Sequence, residues 1–118
     1  HRMMERASPQ YGRALEQWVF MELRAYLSYR QRDEELTFWR SVNGQEVDFL
    51  LGSDIAIEVK ATRRVTRKHL KGLLALREEK IFKKFYLLSE EPHAHVVEGI
   101  ECLPFDEFFR RLWGGGIF

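Results

Sequence analysis

The stretch from Gly44 to Thr62 leaves this chain little choice of local structure. Val47, Phe49 and Leu51 alternate, Gly52-Ser53-Asp54 supplies turn chemistry, and Ile55, Ile57 and Val59 alternate again. That pattern predicts two strands joined by a tight turn. Side chains two apart on a strand point the same way, so Asp48 shares a face with Glu46 and Leu50, and Glu58 and Lys60 share one with Ala56. Pairing across so short a turn brings Asp48 close to Glu58 and Lys60, at the end of a hairpin whose other face is aliphatic and aromatic. A surface salt bridge between Lys60 and a carboxylate is one reading of the trio. A metal pocket is the other, and it accounts for three charges on a strand pair otherwise built from Ile, Val, Phe and Leu.

The flanking sequence extends the hairpin into an α/β pattern. Ser8-Pro9 is an N-cap followed by a proline at the first helical position, and the helix is expected from Pro9 to Tyr29, with Leu15, Trp18, Val19, Leu23, Tyr26 and Leu27 as its buried stripe. Glu16 stands at four, three and four spacing with Phe20, Leu23 and Leu27. It is either an edge residue favoured by the helix dipole or a carboxylate aimed at the hairpin. Leu36 to Val42 alternates as a first strand, and Asn43-Gly44 is the expected turn pair, so three strands form an antiparallel meander. A helix follows from Arg67 to Glu79, with Leu70, Leu73, Leu74 and Leu76 inward. Lys83 to Leu88 is a strand apolar on both faces, which places it inside the sheet. Ala94 to Val97 and Ile100 to Leu103 read as short edge strands, and Pro104 opens a last helix stopped by Gly114-Gly115-Gly116. No Lys-Ser/Thr follows those glycines, so they are not a phosphate-binding loop. Patterning alone gives α/β with a central mixed sheet flanked by helices.

Asp48 followed by Glu58-Val59-Lys60 resembles the active-site signature of the PD-(D/E)XK nuclease superfamily, which includes restriction endonucleases and archaeal Holliday junction resolvases. Tyr11 to Glu16 on a helix, Phe38-Trp39-Arg40 on a strand, Gly44 to Phe49 and then Glu58-Val59-Lys60 are similar to the C-terminal domain of bacterial and archaeal AAA-type ATPases. The likeness spans roughly residues 10 to 112. Val47 stands where the superfamily name has proline. The resemblance implies a restriction-endonuclease-like core of helix, three-stranded meander, helix and strand. It implies Mg²⁺ or Mn²⁺ held by Asp48, Glu58 and the Val59 carbonyl, with Lys60 orienting water or offsetting phosphate charge, and Glu16 as a further metal or water ligand. It also implies DNA as substrate, an upstream ATPase domain as partner, and a homodimer by analogy. The alternative is a catalytically silent module of such an ATPase that binds nucleic acid or protein.

Charge distribution sharpens the DNA expectation. The net charge of +1 hides ten Lys or Arg between Lys60 and Lys84 against only Glu78 and Glu79, while the remainder carries nine against sixteen. Such a block is either a solvated helix face or a phosphate-binding flank, with Arg63, Arg64, Arg67, Lys68 and Lys71 as the contacts. At 118 residues, 45% hydrophobic and 14% aromatic, the chain is expected to be one domain. No apolar run reaches the ~20 residues of a membrane span. The single Cys102 suits a reducing cytoplasm and is read as a core thiol. His93 and His95 would share a strand face but lack further zinc ligands nearby, so an exposed edge strand is expected there. Trp18 and Trp39 are expected in the core. The opening His1-Arg2-Met3 and the resemblance together point to an excised C-terminal piece of a longer chain.

Overall fold

A computed structural model describes residues 8–118, so His1, Arg2 and Met3 lie outside the described residues. Helix α1, Pro9–Tyr29, begins where expected: the Ser8 side chain accepts from the Tyr11 N–H at 3.1 Å and Pro9 occupies the first turn. Strands β1 (Leu36–Arg40), β2 (Glu46–Leu51) and β3 (Ile55–Val59) form the antiparallel meander. A 3-10 turn at Arg67–Leu70 runs into α2, Lys71–Arg77, and β4 follows at Lys84–Ser89. Strands β5 (His95–Val97) and β6 (Ile100–Pro104) precede α3, Phe105–Trp113. The six strands make one mixed sheet in the order β1-β2-β3-β4-β6-β5.

The two faces of the sheet carry separate cores. Leu15, Val19, Leu23, Tyr26 and Leu27 of α1 and Phe105, Phe108 and Leu112 of α3 cover Leu51, Ile55, Ile57, Val59, Tyr86 and Leu88. On the other face Leu70, Leu73 and Leu76 of the α2 segment cover Val47, Leu50, Ala56, Phe85 and Leu87. Strands β3, β4 and β6 run parallel beneath both layers, so every residue of β3 is buried and β4 is buried from Phe85 onward.

Several expectations need correction. The strand opening the meander stops at Arg40, and Val42 is fully exposed. The turn after it is a three-residue loop, in which Gly44 alone takes a positive φ of 87° and donates its N–H to Ser41. Trp18 is 45% exposed and rests its ring on Phe105 and Phe109 instead of entering the core. Leu74 is half-buried because α2 is two turns long and only one side meets the sheet. Trp39 is half-buried against the α2-side cluster, and Cys102 is buried, with its thiol raised to about 11 by burial. Of the two short strands only β5 is an edge, since β6 lies between β4 and β5 and pairs in parallel with β4, a long-range choice that short-range pattern does not encode. Among the described residues no helix is long and apolar enough to cross a membrane.

Candidate functional site

The alternation of β2 is broken at the residue that matters most. Thr37 pairs with Leu50 and Trp39 with Val47, so two steps on β1 match three on β2 and Asp48-Phe49 together face Phe38. This is a β-bulge, which inserts one residue and re-aims the side chains around it. Val47 therefore joins Leu50 on the α2 side, while Phe49 and Leu51 pack on the α1 side. The expected single apolar face carrying Val47, Phe49 and Leu51 is corrected accordingly.

Beyond the bulge, side chains replace the ladder. Backbone pairing of β2 with β3 runs from Leu51↔Ile55 to Phe49↔Ile57 and stops there. At the next positions the Asp48 N–H donates to Glu58 Oε1 at 2.9 Å, and the Val59 N–H donates to Asp48 Oδ2 at 2.8 Å. Each carboxylate thus satisfies a backbone donor of the opposite strand, which secures the pair in the seam. Lys60 Nζ lies 3.1 Å from Glu58 Oε2, so the three charges of the motif do meet. The glutamate is buried and the lysine side chain is 38% exposed. Burial, then the charge of Glu58 and the hydrogen bonding between the two side chains, push Asp48 up to about 8, against the lowering effects of the Val59 N–H and Lys60. Below about pH 8 the seam therefore holds a protonated Asp48 beside the Glu58–Lys60 pair, and only above it do two negative charges face one ammonium.

Two clefts border the seam. One, about 210 Å³ on the α2 side, is lined by Glu46, Glu58, Lys60, Lys68, His69 and Lys71. It is closed in by Gly72: a Cβ there would lie 1.9 Å from the Glu46 carbonyl oxygen, so only glycine lets the start of α2 touch the start of β2. The other, about 330 Å³ on the α1 side, is lined by Arg13, Glu16, Gln17, Phe20 and Phe49. Burial first and Asp48 second raise the Glu16 carboxyl, with Lys60 acting in the opposite sense. Glu16 is therefore within electrostatic reach of the seam.

A sequence profile described as a domain of unknown function, DUF4143, matches residues 11–108. The chain belongs to that family. No curated protein and no solved structure matches. The profile covers α1 from Tyr11 onward, the whole meander and both clefts of this DUF4143 domain, so the seam lies within the matched residues.

The five expected phosphate contacts of the DUF4143 domain divide. Lys68 and Lys71 line the α2-side cleft together with Lys60. Arg63 and Arg64 are exposed on the loop between β3 and α2, where Thr62 caps the Arg64 N–H at 3.1 Å. Arg67 turns the other way and pairs with Glu98 of the β5–β6 turn. His93 and His95 do not form a site either, since β5 begins at His95 and that ring meets Glu91 at 2.7 Å. His69 was not foreseen. Its Nδ1 accepts from the Thr66 N–H at 2.9 Å, leaving Nε2 to carry the proton, and burial with Lys60 and Lys68 nearby lowers its pKa. Its position four residues before a buried leucine was legible, but its inward placement depends on the 3-10 turn. Among the described residues no three His, Cys, Asp or Glu side chains gather as a metal-holding cluster.

Proposed function

We propose that this domain binds DNA across the α2-side cleft and cleaves phosphodiester bonds with Mg²⁺ or Mn²⁺, as an appendage of an AAA-type ATPase. The single observation that carries the reading is the seam itself, where two carboxylates of adjacent strands face each other under one lysine beside a cleft holding two further lysines. The element order of helix, meander, helix and parallel strand supports a restriction-endonuclease-like core. The ATPase partner rests on the resemblance and on the common association of this family with AAA ATPases.

The residues fit a divalent cation. Burial first and the charge of Glu58 second drive Asp48 toward its protonated form, and a cation would favour the ionised form against both. Asp48 and Glu58 would hold it, with the Val59 carbonyl as an oxygen donor of the hard kind such ions prefer. Bound there, Mg²⁺ would supply Lewis acidity and offset charge on the phosphate. Lys60 remains available to orient the attacking water or to offset phosphate charge, Lys68 and Lys71 hold the polyanion, and the neutral His69 offers a ring donor beside it. Glu16 would serve as a further metal or water ligand.

Two sets of measurements test the reading. Calorimetric titration with Mn²⁺ should show one or two ions bound, lost in Asp48→Ala. Incubation with branched, single-stranded and duplex DNA plus Mg²⁺ should give cleavage that Asp48→Ala and Lys60→Ala abolish; cleavage that survives both variants would come from a contaminant and remove the enzyme. The second reading is a catalytically silent module of such an ATPase that binds nucleic acid or protein. It predicts salt-dependent DNA binding with no Mn²⁺ uptake.

A further inference from the structure

The α1-side cleft lies beside the seam and yet has a different chemistry from the cationic one. Phe20 and Phe49 stack there with ring centroids 6.3 Å apart and planes 26° from parallel. Phe49 is half of the bulge with Asp48, so this aromatic pair is fixed to the same backbone irregularity that sets the carboxylate. Phe20 is 37% exposed and belongs to neither buried cluster, so part of its ring stands open in the cleft wall while it stacks on Phe49. Gln17, exposed on the same helix, adds an amide that can both donate and accept, and Arg13 adds a guanidinium, while the α2 side carries three ammonium groups and no aromatic pair.

A phosphate chain needs cations, whereas a nucleobase needs a flat apolar face and an edge partner. Glu58 of the acid pair lines the α2-side cleft with three lysines, and Phe49, the chain neighbour of Asp48, lines the α1-side cleft with Phe20. We infer that the α1-side cleft is a nucleobase site, in which an unpaired base stacks on Phe20 with Gln17 and Arg13 at its edge while the backbone of the same strand crosses the seam toward Lys68 and Lys71. The inference rests on the DNA reading given above and deepens it: the substrate is single-stranded or locally unpaired DNA, since a base inside a duplex cannot present its face to a side chain.

Binding is measured by fluorescence anisotropy in EDTA, so that nothing is cleaved. Three labelled probes are used: a roughly 12-nucleotide oligothymidylate, the same backbone with abasic units, and a blunt duplex of equal length. Wild type should prefer the oligothymidylate over the abasic strand by about 5- to 150-fold, the equivalent of base–aromatic stacking at ~1–3 kcal/mol. Phe20→Ala should bring the two single strands to equal affinity and leave duplex binding unchanged, and Lys68→Glu should weaken all three probes. Equal wild-type affinity for the based and abasic strands, a measurement that needs no variant to fold, overturns the base site while leaving the DNA reading intact. So does a loss in Phe20→Ala that is the same for single strand and duplex. Failure of every probe to bind wild type overturns both readings together.

Discussion

The two ends of the β2–β3 hairpin are made from the same strands and held by different forces. At the turn end, Phe49, Leu50 and Leu51 pair backbone to backbone with Ile57, Ala56 and Ile55, and helices cover both faces. At the open end the ladder has gone, and Asp48 and Glu58 take its hydrogen bonds with carboxylate oxygens. A backbone carbonyl in that role would be neutral and self-sufficient. A carboxylate does the same structural work and adds charge that the protein only partly offsets. With Asp48 ionised the open end therefore holds the strands together under electrostatic strain, which a bound cation would relieve.

Substitutions at the two ends should fail in different ways. Ile57→Ala removes a fully buried side chain at the closed end and should cost about 3 kcal/mol in urea denaturation at any pH. Gly72→Ala drives a methyl into the Glu46 carbonyl, so α2 must lift off the open end, at a cost of about 2 kcal/mol. Asp48→Asn has the opposite sign. The folded-state pKa of about 8 lies above the unfolded value near 3.8, so the contribution of protonated Asp48 is complete below about pH 4 and is lost as pH rises toward 8. The variant should therefore be more stable than wild type at pH 8, and the gain should vanish at pH 4; a gain independent of pH would mean the strain is absent. Under the metal reading, Mn²⁺ should raise the wild-type melting temperature more at pH 8 than at pH 6, an effect that EDTA reverses and Asp48→Asn weakens. Lys68→Glu should change stability by no more than about 0.5 kcal/mol while lowering the salt slope of DNA binding by about one or more.

The legible parts of the fold were those written in neighbouring residues. Ser8-Pro9 fixed the start of α1, Gly52-Ser53-Asp54 the turn, and Pro104 with Gly114 the limits of α3, each through a local backbone requirement. The convergence of Asp48, Glu58 and Lys60 was legible for the same reason, because a short turn sets the register. The bulge was not. Val47, Phe49 and Leu51 alternate perfectly in sequence, but Leu50 and Ala56 are apolar too, so both faces can be buried and the period does not reveal an extra residue. Both short strands β5 and β6 were legible, but their hairpin was not, because its turn needs φ values of 51° and 80° at Glu98-Gly99 and a glutamate rarely takes the left-handed region. The role of Gly72 depends on a partner in another strand, which no local pattern contains.

Because helix and strand meet at Gly72 with no side chain between them, the lysines that would grip a polyanion and the acids that would act on it cannot be retuned independently. A shift of the helix by a single methyl's width would carry Lys68 and Lys71 away from Glu58, so evolution or a designer can change the reach of this grip only by also redrawing the strand it leans on.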